Sequence, residues 1–403
     1  MLQICCAIAK LIPICLIFSI FSDHTLLILA QGNTEDIDVL IQEVFGPQNG
    51  AYPANNNVND NTNANTGING KCNCVPMNLC QRYNNTALTT GEGLIDIRIG
   101  QCPNSLEICC DEPRNKFPIP QPTVGYNRTV TCGKRNENGV GFRITVKDSE
   151  AQFGEFPWMV AVIVRRENGD QYHCGGSLIH PRVVMTAVHC VYSYRNKPDD
   201  LIIRAGEWDS QSDAEIIPFQ QRTAEAVIVH RGYQSGPAHN DIALVLLKES
   251  FDFAENVDVI CLPPPGENID FMKCVASGWG KNEFGEKGVY QNILKRVELP
   301  IVPRDRCQEL LRTTRLGSRF ILHDGFICAG GIPGTDTCKG DGGGPLMCPI
   351  PGRADHYYQV GIIAWGIGCG TTIPAVYVNV PYYRKWIDEQ FANWNLDTSF
   401  FSD

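Results

Sequence analysis

Nineteen cysteines in a chain of 403 residues restrict this protein more than any other feature, because such density is rare where thiols stay reduced. The start of the chain gives a reason for it. Lys10 precedes an apolar run from Leu11 to Phe21, a second run covers Leu26 to Leu29, and the small residue Ala30 follows. That order reads as a secretory signal peptide over residues 1–30, cleaved after Ala30. The polar break from Ser22 to Thr25 leaves no run of about 20 apolar residues, as a membrane anchor would need, and no later segment is long enough to span a bilayer. Cys5, Cys6 and Cys15 leave with the leader, and the remaining 16 cysteines can all pair. The sequons Asn84-Asn85-Thr86 and Asn127-Arg128-Thr129 suit the same route as glycan acceptors at Asn84 and Asn127. A formal charge of −10 argues against a nucleic-acid partner for the chain as a whole and leaves only a local basic patch open.

Composition then divides the chain. Residues 31–71 are dominated by Asn, Gly, Pro and Thr, above all from Gly46 to Gly70; they lack the apolar surface that would offset ordering and read as a flexible tether. Residues 72–110 hold Cys72, Cys74, Cys80, Cys102, Cys109 and Cys110. Few aliphatic residues accompany them, so cross-links must replace a core. A zinc site competes poorly, since the unit has no histidine and the secretory route oxidises thiols. Pro113, Pro118, Pro120 and Pro122 make residues 111–143 an extended linker. Spacing alone leaves the cysteine pairing open.

The six-cysteine unit, closed by the adjacent pair Cys109-Cys110, resembles the clip domain that precedes the protease domain in many arthropod serine proteases. The resemblance implies a small β-rich fold with bridges Cys72–Cys109, Cys74–Cys102 and Cys80–Cys110. Between Cys80 and Cys102, the string Leu94-Ile95-Asp96-Ile97-Arg98-Ile99 alternates as a strand does. Arg98-Ile99 reads either as a bond for a trypsin-type protease or as a strand with one outward arginine. The implied bridges would hold the pieces together after a cut.

From residue 144 the chain consists of short β-branched or aromatic runs punctuated by Gly and Pro, as in an antiparallel all-β protein. Met159 to Val164, Leu201 to Arg204, Ala226 to Val229, Ala243 to Leu247, Val360 to Trp365 and Ala375 to Val378 are the expected strands. Pro381 opens a helical pattern in which Trp386, Ile387 and Phe391 face the body. The expected protease-like domain spans residues 144–393, and 394–403 are a C-terminal tail.

Three strings carry chemistry: Thr186-Ala187-Val188-His189-Cys190, Asn240-Asp241-Ile242-Ala243-Leu244, and Cys338-Lys339-Gly340-Asp341-Gly342-Gly343-Gly344-Pro345. With Gly154-Glu155-Phe156-Pro157-Trp158, Cys174-Gly175-Gly176-Ser177-Leu178, Ser277-Gly278-Trp279-Gly280 and Trp365-Gly366, they resemble the chymotrypsin and trypsin family and imply its double antiparallel β-barrel. By that resemblance His189 is the general base, Asp241 orients it, and residues 340–342 form the oxyanion loop, in the order His, Asp, nucleophile. The family's serine position is occupied by Gly342. Glycine offers no hydroxyl to deprotonate and no atom for an acyl-enzyme, and loss of the nucleophile removes roughly a million-fold of turnover. The family's activated N-terminus, an Ile-Val-Gly-Gly type sequence that pairs with the aspartate matching Asp341, is also altered. Here it reads Arg143-Ile144-Thr145-Val146-Lys147, without the glycines and one residue further from Pro157-Trp158. A one-codon error at Gly342 would not explain both departures.

The resemblance implies further residues. Asp336 matches the base of a trypsin-like specificity pocket walled by Trp365 and Gly366, and Ala375 stands where a glycine is usual, which narrows it. Family pairing accounts for the other ten cysteines as Cys132–Cys261, Cys174–Cys190, Cys274–Cys348, Cys307–Cys328 and Cys338–Cys369. Glu207, Asp209, Asp213 and Glu215 stand where trypsin-like proteins carry a calcium loop; hard oxygen ligands at this density suit Ca²⁺, and a solvated acidic loop is the alternative.

A clip domain joined to a serine-free protease domain resembles the arthropod clip-domain serine protease homologues, including the prophenoloxidase-activating factor 2 type. That implies a secreted haemolymph protein without catalysis, cut by an upstream clip-domain protease. It would act on prophenoloxidase or phenoloxidase as a cofactor in melanisation, as a homo-oligomer in one version. A masquerade-like recognition or adhesion protein, and an active trypsin-like endopeptidase misread at one codon, are the competing expectations.

Overall fold

A computed structural model of the protein describes residues 73–76, 107–110, 131–141, 149–167, 169–211, 215–267, 269–270, 272–281, 290–334, 337, 341–368 and 370–402. Of the six-cysteine unit it describes the backbone of two strands, β1 (Asn73–Pro76) and β2 (Glu107–Cys110), paired antiparallel with Val75 opposite Ile108.

The remaining twelve strands close into two six-stranded antiparallel barrels. The first runs β3 (Met159–Val164), β4 (Gln171–His180), β5 (Val183–Thr186), β8 (Ala243–Leu247), β7 (Gln220–Val229) and β6 (Leu201–Ala205), back to β3. The second runs β10 (Lys295–Val302), β11 (Phe326–Gly330), β14 (Pro374–Asn379), β13 (Tyr357–Trp365), β12 (Pro345–Pro349) and β9 (Lys273–Gly278). The fold is therefore the expected double barrel. Strands β3, β5 and β8 are buried along their whole length, so apart from Thr186 they read as continuous apolar runs and not as alternating ones. Register slips at Val162/Ile163, Leu178/His180 and Ala224/Ala226 supply the bends that closure of a small barrel needs. Trp158, fully buried, donates its indole N–H to the Met347 sulfur at 2.9 Å, joining the start of the first barrel to β12 of the second.

Among the described residues four disulfides tie this body together: Cys132–Cys261, Cys174–Cys190, Cys274–Cys348 and Cys307–Cys328. The first anchors the linker, with Gly133 N donating to Val259 O. Its ends are 129 residues apart, and closing a loop of that size is worth about 5 kcal/mol in the chain-entropy account. Cys338 and Cys369 lie outside the described residues.

Among the described residues three α-helices fill the gaps. Helix α1 (Val188–Val191) is a single turn after β5. Helix α2 (Arg304–Arg312) buries only Cys307 and Leu311; this spacing is helical but too sparse to stand out in a polar sequence. Helix α3 (Val380–Trp394) starts on Asn379, whose side chain accepts from Tyr382 N, and stops at Asn395 in the left-handed conformation. Its core face is Tyr383, Ile387 and Phe391, while Trp386 is half-buried. The segment from 394 onward does not leave the body. Phe401 is fully buried with its ring 4.8 Å from Phe391, and Leu262 N donates to its carbonyl. Arg384 reaches the carbonyls of Leu262 and Pro263 and the Ser402 hydroxyl.

Candidate functional site

The site forms where the two barrels meet. His189 is carried by α1, immediately after β5, and Cys190 is bridged to Cys174 on β4, so the imidazole's backbone is held from two sides. Asp241 precedes β8 and is fully buried, 0 % exposed. Its two oxygens do different work. Oδ1 accepts the backbone N–H of His189 at 2.9 Å, and Oδ2 lies 2.6 Å from Nδ1 of the ring. A carboxylate held this way fixes the ring's orientation and favours the tautomer with its proton on Nδ1, leaving Nε2 as the base.

The turn that delivers Asp241 is strained and braced. Ala238 and Asn240 both have positive φ, 52° and 58°, which costs a non-glycine residue on the order of 1 kcal/mol. Asn240 offsets this with its side chain, donating from Nδ2 to Gly232 O at 2.6 Å and accepting the Tyr383 hydroxyl at 2.9 Å on Oδ1. Burial, then the neighbouring Tyr382 and Asp241, push the Tyr383 phenol up, so it remains a donor. No local motif in the sequence points to this brace, because Tyr383 comes from α3. His173, next to the bridged Cys174, has its pKa lowered to about 4, chiefly by burial, and stays neutral beside His189.

Residues 341–344 pack against the same strands. Gly175 N on β4 donates to Gly342 O at 2.9 Å, Gly343 N donates to Ile363 O, and Gly344 N donates to Asp341 O. A methyl group on Gly343 would sit 2.2 Å from Thr186 Oγ1 and 2.6 Å from Gly175 O. The loop is thus pressed onto the end of β5, two residues before the turn that carries His189. Gly342 brings a backbone and no side chain. Two hydroxyls on the neighbouring strands are already used, Thr186 donating to Gly175 O and Ser177 to Gln359 Oε1. Asp341 turns its carboxylate away, toward Gly280, whose N–H it accepts at 2.8 Å; a Cβ on Gly280 would collide with that carboxyl at 2.5 Å. Cys174, His189 and Cys190 approach closely enough to suggest a metal, but the two sulfurs are joined in a disulfide and offer no thiolate.

The expected wall residue Trp365 is covered. Trp365 is 0 % exposed, packed edge-on by Phe326 and Phe320 at 5.9 and 6.3 Å, and its buried indole nitrogen makes no hydrogen bond among the described residues. Ala375, paired with Ala329 across β11 and β14, points its methyl toward Gly366, where an added Cβ would meet it at 3.8 Å. Asp336 and Gly340 lie outside the described residues.

Of the four carboxylates in the first barrel's loop, the structure brings two together. Glu207 is held by Arg204 at 2.7 Å and by the Trp208 N–H at 3.0 Å. Among the described residues no hydrogen bond of normal geometry reaches either oxygen of the buried Glu215, which lies against the Glu207 carboxyl and the backbone of Asp209. Burial first, and Glu207 next, push its pKa up to about 10. Asp209 instead accepts from Gln211 N, and Asp213 lies outside the described residues. So do Arg98, Ile99, Asn84, Asn127, Cys72, Cys80 and Cys102, and the side chains of Cys74, Cys109 and Cys110.

Comparison with known proteins agrees with this architecture. A family model described as Trypsin matches residues 145–387, and one described as Serine protease Clip domain PPAF-2 matches residues 61–111. Phenoloxidase-activating factor 2 of Galleria mellonella is 48 % identical over 302 residues, covering 72 % of this chain and 98 % of that protein. Inactive CLIP domain-containing serine protease A28 of Anopheles gambiae is 36 % identical, covering 76 % of this chain and 84 % of its own. CLIP domain-containing serine protease B4 of the same mosquito is 32 % identical, with coverage of 79 % and 89 %. By its double barrel, its His189–Asp241 pair and these matches, the chain belongs to the clip-domain branch of the trypsin family.

Proposed function

We propose that this protein is a secreted, non-catalytic clip-domain protease homologue that serves as a cofactor in the proteolytic activation of prophenoloxidase in haemolymph. The observation that carries the reading is the glycine at 342, in a loop packed beside an ordered His189–Asp241 pair. A base with an orienting carboxylate and no hydroxyl to deprotonate at 342 forms no acyl-enzyme. The names of the similar Galleria factor and of the inactive mosquito homologue point the same way. An upstream clip-domain protease cuts Arg98-Ile99 and changes the exposed surface of the disulfide-held clip. The processed form then assembles with copies of itself and engages prophenoloxidase. Glycans on Asn84 and Asn127 accompany secretion.

Reconstitution tests this. Protein incubated with an upstream clip protease and prophenoloxidase should raise phenoloxidase output only after being cut, with no amidase activity of its own. Arg98→Gln should remain uncut and inactive as a cofactor. An uncut Arg98→Gln protein that supports activation as well as wild type would discard the switch, and unchanged phenoloxidase with the cut wild type would move the function to surface recognition.

Calcium fits the Glu207–Glu215 pair, because two buried carboxyls lie against each other and no hydrogen bond of normal geometry reaches the Glu215 oxygens among the described residues, an arrangement that a cation would relieve. When bound, the ion neutralises the two carboxylates and pins the loop; Arg204 holds Glu207 in either state. Without it, folded Glu215 binds its proton up to about pH 10 against an ordinary value of 4.5. The folded form therefore holds more protons than the unfolded one across that window, and stability falls as pH rises through it. Melting curves with calcium and with EDTA should differ more at pH 8 than at pH 6. Glu215→Gln should lose both the calcium response and the pH-linked fall, whereas an unchanged calcium response in that variant would remove Glu215 from the site.

A further inference from the structure

We infer that the tip formed by the end of α2 and residues 313–321 is a binding site for a sulfated polysaccharide. The charge pattern is the first reason. In a chain of net charge −10, residues 304–319 hold Arg304, Arg306, Arg312, Arg315 and Arg319, with no lysine and only Asp305 and Glu309 against them. From Leu310 to Leu322 there is no carboxylate.

The structure sorts these arginines. Arg304 pairs with Asp324 at 2.9 Å and Arg306 with Glu309 at 3.3 Å, so both have a carboxylate already. Arg312 donates from Nε to Phe320 O at 2.7 Å, which folds the segment back on the helix end. Arg315 and Arg319 are exposed, and Arg319 makes no ion pair among the described residues.

The tip is also built to keep its shape. Tight turns close at Gly317 N to Thr314 O and Phe320 N to Gly317 O. The Cys307–Cys328 disulfide brackets the segment, and Gln308 Oε1 accepts from Leu322 N at 2.9 Å. Leu316 is buried below, and Phe320 leans on Trp365. Arginines presented by such a frame lose little freedom on binding, and their planar forks match the oxygens of a sulfate group.

The surroundings favour a linear polyanion. Exposed charge interacts over about 8 Å at physiological salt. A narrow chain can lie on the tip while staying clear of the acidic remainder, which a flat anionic membrane cannot do. Ile321, 72 % exposed, is the only large apolar side chain the tip shows, too little for membrane insertion. No exposed aromatic is there to stack a nucleic-acid base, and Ser318 is exposed for sugar contacts.

Heparin is the probe. Full-length protein should bind it, with affinity falling steeply as salt rises, and should ignore desulfated heparin. Arg315→Gln with Arg319→Gln should together weaken binding by about tenfold, with an unchanged near-UV spectrum. Arg312 is left in place because it holds the Phe320 carbonyl. Wild type that runs through a heparin column at about 50 mM salt, a double variant that binds equally well, or tighter binding to phosphatidylserine vesicles than to heparin would each overturn the site.

Discussion

A fluorophosphonate probe should leave the folded wild-type protein unlabelled and should label Gly342→Ser. The two halves of this result test different things. Without a hydroxyl at 342 the imidazole has no proton to take, and turnover should be lower by roughly a million-fold than with a working nucleophile. Gly342, unlike Gly343, does not have positive φ, so a serine can occupy it without left-handed strain. Its hydroxyl would enter beside a His189 already held by Asp241 through two contacts. Reaction in the variant should nevertheless be slow, because Trp365 is sealed under Phe320 and the Ala375 methyl faces Gly366. Label on the wild type would reveal another nucleophile and end the non-catalytic reading. Absence of label on correctly folded Gly342→Ser would mean that the loop lacks a reactive geometry for reasons beyond its missing side chain.

How far the sequence foretells the structure depends on the distance over which each feature is encoded. The strands were legible because Met159 to Val164 or Ala243 to Leu247 carry their β preference in a handful of adjacent residues. The meeting of His189 with Asp241, 52 positions apart, is written in no local pattern and was legible only through the resemblance of the flanking strings. The burial of Phe401 was not legible at all. It depends on Arg384 and Leu262, distant in sequence, receiving a short segment after the helix that carries no periodic pattern of its own. The acidic loop shows the same limit from the other side: carboxylates close in sequence do not announce which of them will meet, and Glu215 lies against Glu207 while Asp209 accepts from Gln211 N. The covering of Trp365 depends on Phe320, which arrives from a different loop.

Gly343→Ala should be among the most damaging single-methyl additions in the barrels. Its φ is +79°, and the new carbon would meet Thr186 Oγ1 at 2.2 Å, Gly175 O at 2.6 Å and the Cys190 sulfur at 3.1 Å. Two of these are fixed by the bond between Thr186 and Gly175 and the third by a disulfide, so none can retreat cheaply. Overpacking together with a left-handed alanine costs about 3 kcal/mol or more. Gly352→Ala isolates the second cost, because its φ is +78° with nothing within 4 Å, and it should lose only about 1 kcal/mol. In urea the midpoint of Gly343→Ala should fall well below that of Gly352→Ala with the slope unchanged. Adding Thr186→Ala should recover part of the loss and not all, since Gly175 O stays in place. Equal costs for the two glycine variants would show that the loop can lift off β4 and β5 without penalty. The ordered setting of Gly342 beside His189 would then be a weak preference, and the case for a preserved but unarmed site would weaken with it. A large difference would instead separate the two adjacent glycines by cause: Gly343 is required by packing, whereas nothing in the backbone requires a glycine at 342.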